Sequence, residues 1–202
     1  MNRDRSKKIK GKGWNGIAIH LKETENFDLL NLVEMNPVKY PYFLESSSRG
    51  NLLNRYSIIF YKPEVLLIKN SEHIEFLEDF DKLWDKNKVE QDEMIYDGNH
   101  IPFYGGWFVY FGYELSKEIE PSLKTPDSPF KLPVAFASRV KTSIIYDHID
   151  NEIIITSDDQ KNFEKDLKEI EKDFSKVIFN EKKKSGKVKI VSKGTDDEHQ
   201  NQ

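Results

Sequence analysis

The sequence predicts an α+β fold of mostly antiparallel strands, arranged as hairpins, with packed helices. Short runs of β-branched and aromatic residues recur along the chain and are separated by turn residues or proline, which is typical of strands joined in hairpins. Two longer stretches instead repeat apolar residues at helical spacing. The chain has 202 residues, 37% of them hydrophobic and 33% charged, so it can bury a sizeable core. Hairpins beside two longer helices indicate the α+β class.

Composition excludes several kinds of function. The formal net charge of -4 gives no reason to expect a nucleic-acid or membrane partner. The chain has no cysteine, which excludes disulfides, thiol catalysis and zinc-thiolate sites and fits the reducing cytoplasm. The basic N-terminal residues lack the apolar segment of a secretory signal, and no apolar run is long enough for a transmembrane helix. We therefore expect a cytoplasmic protein.

Three regions of different composition predict the domain organisation. Residues 1–14 are predicted to be a disordered basic start, and residues 15–180 the folded domain. Within the domain, residues 17–21 are predicted to be a short strand and residues 27–33 a short helix that ends before Pro37. Residues 181–202 are lysine-rich and then polar, which indicates a linker.

The next segment predicts a hairpin followed by a helix. Residues 55–61 are β-branched and aromatic, Pro63 interrupts them, and residues 65–68 resume the pattern. Ser71 is the predicted N-cap of a helix with three aromatic residues on one face: Phe76, Phe80 and Trp84. The polar residues 85–101 are predicted to be a loop.

An aromatic strand is predicted after two adjacent glycines, Gly105 and Gly106. Six aromatic residues lie within positions 103 to 111, and the apolar run suits a buried strand. Glycine is used where backbone approaches backbone or where φ is positive. The spacing is not that of a phosphate-binding loop, which requires a following helix. Four prolines then indicate an extended crossing segment: Pro121, Pro126, Pro129 and Pro133.

The C-terminal part predicts a second hairpin and a long helix. Residues 134–146 form one predicted strand, residues 147–151 its turn, and residues 153–156 the return strand. Ser157 and Gln160 have the spacing of a capping box. The helix that follows carries an apolar stripe: Phe163, Leu167, Ile170, Phe174 and Ile178.

Three segments in this order resemble a known family. We call them the first signature segment (residues 40–48, YPYFLESSS, with 54–59, NRYSII), the second (102–115, PFYGGWFVYFGYEL) and the third (132–148, LPVAFASRVKTSIIYDH). Their order and spacing resemble the N-terminal domain of component I of anthranilate synthase and of aminodeoxychorismate synthase. The resemblance covers roughly residues 15–160. The IEP after the second segment and LPVAFA-x-R in the third look more like the aminodeoxychorismate branch.

The resemblance implies a non-catalytic part of a larger enzyme. In this family a C-terminal chorismate-binding domain carries the active site and its Mg²⁺, and a glutamine amidotransferase, component II, supplies ammonia. The implied reaction converts chorismate to 4-amino-4-deoxychorismate for para-aminobenzoate and folate synthesis. No motif of the catalytic domain occurs in this sequence. We therefore expect no catalytic residue, metal or cofactor in this chain, and a linker toward a chorismate-binding domain.

The resemblance also implies an amino-acid pocket for tryptophan. The predicted pocket residues are Leu44, Glu45, Ser46, Tyr56 and Ser57. An amino acid needs an acceptor for its ammonium group and an apolar slot for its ring. Glu45 would supply the acceptor and Ser46 a hydrogen bond, with Tyr42 or Phe43 forming part of the slot. Without the resemblance, the residue types alone predict that residues 45–48 form a polar turn after a strand.

Alternatives remain open. The chain is also consistent with the N-terminal domain of anthranilate synthase component I, where tryptophan is the feedback inhibitor, and with a stand-alone module that binds an aromatic amino acid. Arg55 and Arg139 would bind an anion or, more often, pair with structural carboxylates. The carboxylates Glu114, Glu118 and Glu120 favour a solvated face or structural pairs over a magnesium site. Asp147, His148 and Asp150 are expected to bond to the local backbone of a turn rather than hold a metal.

Overall fold

A computed structural model describes residues 6–20, 28–46, 54–70, 75–124 and 131–179 of the chain. Over these residues the fold is α+β and mostly antiparallel, as predicted. The elements in chain order are β1 (Ser6–Gly11), β2 (Trp14–His20), α1 (Leu30–Met35), β3 (Tyr42–Leu44), β4 (Tyr56–Tyr61), β5 (Glu64–Lys69), α2 (Phe76–Asn87), β6 (Ile95–Tyr96), β7 (Asn99–His100), β8 (Gly106–Phe111), α3 (Ser116–Ile119), β9 (Ala135–Val140), β10 (Thr142–Asp147), β11 (Glu152–Ser157) and α4 (Phe163–Phe179).

A six-stranded antiparallel sheet forms the larger layer, in the order β1-β2-β11-β10-β4-β3. The prediction of a disordered start over residues 1–14 is wrong for residues 6–11, which form β1 and pair with β2 from Ser6↔Ile19 to Gly11↔Trp14. Ile9 of this strand packs against the buried cluster that contains Trp14, which gives the basic segment an apolar contact to order it.

A three-stranded antiparallel sheet, β5-β9-β8, forms the smaller layer. The hairpin predicted over residues 55–68 is therefore wrong, because β4 lies in the larger sheet and β5 in the smaller one. The chain changes sheets at Lys62, which has φ +44 and donates its backbone N–H to the carbonyl of Lys39. The strand predicted over 134–146 is likewise divided at Lys141 into β9 and β10. The hairpin formed by β10 and β11 is confirmed.

The main core lies between the larger sheet and helix α4. The helix contributes Val177 and four residues of the predicted apolar stripe, which is therefore confirmed at these buried positions: Phe163, Leu167, Ile170 and Phe174. They pack on isoleucines of β2, β4, β10 and β11. Each fully buried apolar side chain of this kind contributes roughly 1.5–3 kcal/mol.

Helix α2 covers one face of the smaller sheet. Phe76 is buried, and Phe80 and Trp84 lie 5.2 Å and 6.5 Å from the ring of Trp107 on β8. The predicted helix face is confirmed, although the residue before the helix is Glu75 and its side chain forms no cap hydrogen bond. Ser71, the predicted N-cap, lies outside the described residues. Residues 85–101, predicted as a loop, contain the end of α2 and the small hairpin β6-β7.

The start of α4 is capped differently from the prediction. The Oγ of Ser157 accepts the backbone N–H of Asp159, and the carboxylate of Asp159 accepts the backbone N–H of Asn162. Gln160 reaches instead to the carbonyls of Gly11 and Trp14, both at 3.4 Å. The capping box is therefore not formed. The linker predicted over 181–202 and the side chain of Ile178 lie outside the described residues.

Candidate functional site

The three signature segments meet at four stacked rings, which we call the aromatic row: Tyr42, Phe108, Phe136 and Tyr110. Tyr42 comes from the first segment, Phe108 and Tyr110 from the second, and Phe136 from the third. Ring centroids are 4.1 Å apart for Tyr42–Phe108, 5.9 Å for Tyr42–Phe136 and 5.6 Å for Tyr110–Phe136. The hydroxyl of Tyr42 also lies 2.9 Å from the Oγ of Ser138. Segments far apart in sequence thus form one surface.

Strand geometry explains why these rings share a face. Alternate residues of a strand point to the same side, so Phe108 and Tyr110 lie on one face of β8 and Trp107 on the other. The register pairs Tyr110 with Phe136, which places the two rings side by side. Trp107 and its neighbours on the opposite face pack toward α2.

Exposed aliphatic side chains extend the aromatic row at both ends. Ile68 of β5 pairs with Phe136 and is 42% exposed. Leu44 lies two residues beyond Tyr42 on β3, hence on the same face, and is 49% exposed. The rings of Phe108, Tyr110 and Phe136 are themselves only partly buried. The result is an apolar surface that the described residues do not fully cover.

The two adjacent glycines serve close packing, as expected. Gly105 has φ +125, and a Cβ there would lie 2.2 Å from the carboxylate of Asp158. That carboxylate forms an ion pair with Arg139, whose guanidinium also donates to the carbonyl of Gly106 at 2.8 Å. Burial raises the pKa of Asp158, and Arg139 opposes that shift. Arg139 is therefore a structural partner of a carboxylate rather than an open anion site.

Arg55 is likewise held in a structural network. Its Nε donates to the carboxylate of Asp147 at 2.8 Å, its Nη2 pairs with Asp150, and its Nη1 donates to Asn99 at 2.6 Å. The hydrogen bond to Asp147 raises the pKa of Arg55 above its usual value. Asp147 also accepts the backbone N–H groups of Ile149 and Asp150, at 2.9 Å and 3.2 Å, which confirms the predicted local bonding for Asp147. The carboxylate of Asp150 and the imidazole of His148 bond to more distant residues instead.

The predicted pocket residues divide into two groups. Ser46 and Ser57 are brought together, because the backbone N–H of Ser46 donates to the Oγ of Ser57 at 3.0 Å. Leu44 pairs with Ile58 and therefore shares a sheet face with Tyr56, opposite to the face that carries Ser57. Glu45 is exposed just beyond the end of β3.

Tyr56 lies under a cation rather than beside the serines. The guanidinium carbon of Arg55 is 5.1 Å from its ring centroid, within cation–π range. Burial is the largest cause of the raised pKa of Tyr56. Adjacent strand positions point to opposite faces, so Tyr56 and Ser57 can serve one ligand only at the sheet edge.

His148 is a site residue that the sequence analysis assigned to a turn in preference to a metal site. Its Nε2 lies 2.7 Å from the Oγ of Ser57, which is only 2% exposed. The two residues are 91 positions apart in sequence, and the pairing of β4 with β10 brings them together. The sequence offers one signal for this contact, because His148 directly follows a predicted strand. That signal predicts the contact only if this strand lies beside the strand that contains NRYSII.

Glu118, from the cluster of carboxylates at and just beyond the end of the second signature segment, has a structural role. Glu118 forms an ion pair with Lys69 at 2.7 Å and accepts the backbone N–H of Leu77 at 2.7 Å. Although burial opposes it, these bonds lower the pKa of Glu118. Across the described ranges, no group of three or more histidine, aspartate or glutamate side chains is placed to hold a metal ion. Within the same ranges, no helix combines the length and apolar character needed to cross a bilayer.

Comparison with known proteins gives a partial relationship. No protein-family model matches the chain. A curated protein of Synechocystis sp. (strain ATCC 27184 / PCC 6803 / Kazusa), the anthranilate synthase component I-like protein, is 36% identical over 64 residues. The match supports the broad anthranilate synthase component I family. It spans 31% of this chain and 13% of that protein, and it carries nothing specific to the aminodeoxychorismate branch.

Proposed function

We propose that this chain is the non-catalytic N-terminal portion of aminodeoxychorismate synthase component I. The parent reaction takes chorismate and glutamine-derived ammonia to 4-amino-4-deoxychorismate, on the route to para-aminobenzoate and folate. The order of the three signature segments supports this proposal, and the LPVAFA-x-R stretch of the third favours this branch. The absence of cysteine agrees with the reducing cytoplasm in which such an enzyme would act.

The convergence of the signature segments on the aromatic row carries the proposal. Tyr42, Phe108 and Phe136 stack together and are partly buried, and with the exposed side chains of Leu44 and Ile68 at the two ends they form a partly exposed apolar face. A face of this kind is suited to burial against another domain. We assign that role to a chorismate-binding domain, in the same or a separate polypeptide, which would hold the Mg²⁺ and work with component II.

The amino-acid pocket is the second part of the proposal. Glu45 and Ser46 lie just past the end of β3, next to Leu44 and three and four residues from Tyr42 of the aromatic row. The carboxylate of Glu45 would accept the ligand ammonium, Ser46 would donate a hydrogen bond, and the apolar surface at Leu44 would receive the indole. Ser57 would act indirectly, because its hydroxyl fixes the position of the Ser46 backbone. Tyr56 would contact the ligand only at the edge of the sheet.

Reconstitution tests the proposal. The chain would be combined with the chorismate-binding domain encoded with it and with a glutamine amidotransferase, and supplied with chorismate, glutamine and Mg²⁺. Formation of 4-amino-4-deoxychorismate, detected as para-aminobenzoate after addition of its lyase, is the expected result. Failure of the chain to bind that domain, or to change its activity, would refute the scaffolding role.

Anthranilate synthase component I is the second candidate, favoured by the name of the matched relative. In the same assay it would give anthranilate and pyruvate, and tryptophan would inhibit. Tryptophan binding to the chain without any partner would instead favour a stand-alone binding module. Product identity therefore separates the two enzymes, and tryptophan binding by the chain alone separates the binding module from both.

A further inference from the structure

We infer that His148 is a positioning residue for the amino-acid site, acting through Ser57 on the backbone of Ser46. The inference rests on the proposed pocket at Glu45 and Ser46 and adds to it His148, the last residue of the third signature segment, which the resemblance does not assign to that pocket. Three contacts carry it, and each joins a different strand or turn.

The hydroxyl of Ser57 is the centre of this arrangement. A serine hydroxyl offers one proton and two lone pairs. One lone pair accepts the backbone N–H of Ser46 at 3.0 Å, and the Nε2 of His148 lies 2.7 Å away on the same oxygen. Ser57 is 2% exposed, so water does not compete freely for either bond. The Ser57 hydroxyl still has a proton or a lone pair available for a hydrogen bond. Its bond with the imidazole of His148 uses that group and orients the hydroxyl.

The imidazole is itself held on several sides. The backbone N–H of His148 donates to the carbonyl of Arg55 at 2.9 Å, and its ring meets the ring of Tyr146 edge to face at 4.6 Å. The charged groups nearest in the turn are Arg55, Asp147 and Asp150, which are occupied with one another. The turn after β10 is therefore clamped to the start of β4, and His148 cannot drift away from Ser57.

This arrangement matters because Ser46 lies just past the end of β3, where ladder pairing no longer defines the backbone. The bond from Ser46 to Ser57 continues the attachment to β4 for two residues beyond Leu44. It sets the direction in which Glu45 and Ser46 leave the sheet. Preorganising the residues that contact a ligand reduces the ordering cost of binding.

The first test measures tryptophan affinity calorimetrically on the full enzyme that contains this chain. His148→Leu should weaken binding about tenfold, and His148→Gln, whose amide nitrogen reaches the Nε2 position, should stay within about twofold of the original. Ser57→Ala should weaken binding as much as His148→Leu, and the double variant no further. His20→Leu, at an exposed histidine of β2, is the matched control and should leave affinity unchanged.

The second test needs no ligand. Amide hydrogen exchange at Ser46, followed by NMR on the same protein, should accelerate about tenfold in His148→Leu and Ser57→Ala but not in His148→Gln or His20→Leu. If wild-type protein binds tryptophan and His148→Leu binds it equally well, the positioning role is wrong while the pocket stands. If no tryptophan binds at all, the proposed pocket fails. Unchanged Ser46 exchange in His148→Leu would refute the positioning link independently of any ligand.

Discussion

Tyr42 of β3 lies flat against Phe108 of β8, with ring centroids 4.1 Å apart and ring planes 9° apart. This contact joins the six-stranded sheet to the three-stranded sheet. It also joins the first signature segment to the second. Aromatic pairs contribute about 0.5–1.5 kcal/mol beyond the apolar area they bury, so the contact is both a structural tie and the start of the aromatic row.

Replacing Phe108 by alanine should reduce the free energy of unfolding by roughly 2–3 kcal/mol, less than for a fully buried ring because Phe108 is partly exposed. The loss reflects its contacts with Tyr42, Phe60 and Phe136. Urea unfolding monitored by circular dichroism would measure it. Phe111→Ala, at a half-exposed ring on the other face of the same strand, is the control and should cost less. Equal losses would contradict a special role for the stack.

Substitution of Gly105 should be much more costly than substitution of Gly98. At Gly105 a Cβ would lie 2.2 Å from Asp158 and φ is +125, whereas at Gly98 nothing lies within 4 Å and φ is +77. Gly105→Ala should therefore cost roughly 3 kcal/mol, combining crowding with backbone strain, and Gly98→Ala about 1 kcal/mol from strain alone. Thermal and urea unfolding of both variants would check the difference. Similar costs would show that the loop at Gly105 relaxes away from Asp158.

Glu169 should give the fold a defined acid dependence. Hydrogen bonds from Lys62 and Tyr61 lower its pKa from 4.5 to about 2. Because the unfolded chain takes up this proton first, the stabilisation is present above about pH 4.5 and is lost as pH falls toward about 2. The difference in unfolding free energy between wild type and Glu169→Gln should therefore shrink between about pH 6 and about pH 3.

The control for this pH experiment is Glu164→Gln on the same helix, where an exposed carboxylate pairs with exposed Lys8. Such surface pairs contribute little, so its difference from wild type should be small throughout. A Glu169→Gln difference that stays constant with pH would show that the carboxylate is not stabilised by Lys62 and Tyr61.

The apolar surface at Ile68 should be required for the proposed domain contact and not for folding. Ile68→Arg places a charge at a position that is 42% exposed, so unfolding free energy should change by less than about 0.5 kcal/mol. Binding to the chorismate-binding domain, measured by calorimetry, should weaken at least about tenfold. Val38→Arg, at an 88% exposed side chain outside this surface, is the control. Equal binding by both variants would place the contact elsewhere.

The local periodicity of apolar residues was sufficient to predict several elements of the fold. The stripe Phe163, Leu167, Ile170 and Phe174 of α4 is buried as predicted, because a helical repeat is written in neighbouring residues. The α2 face and the β10–β11 hairpin follow from similarly local signals. The N-terminal strand β1 was not predicted from the sequence. A half-exposed edge strand needs apolar residues on only one face, and the lysines of β1 obscure this alternation of apolar and polar residues.

Strand pairing could not be read from the sequence in the same way. The break at Pro63 suggested a hairpin, yet β4 pairs with β10, 81 to 91 residues away in the chain, and β5 pairs with β9, 66 to 75 residues away. The division of the predicted pocket has the same origin. Tyr56 and Ser57 are adjacent in sequence, but the strand sends them to opposite faces once its partners are known.

The sequence by itself determined the fold class, the apolar face of each long helix and the resemblance carried by the three signature segments, because these depend on residues close together in the chain. Only the tertiary structure decided that those segments meet at the aromatic row and that Ser57 lies between Ser46 and His148. Those contacts depend on sheet order and register. Both arise from the summed packing of distant strands, so no local repeat in the sequence predicts them.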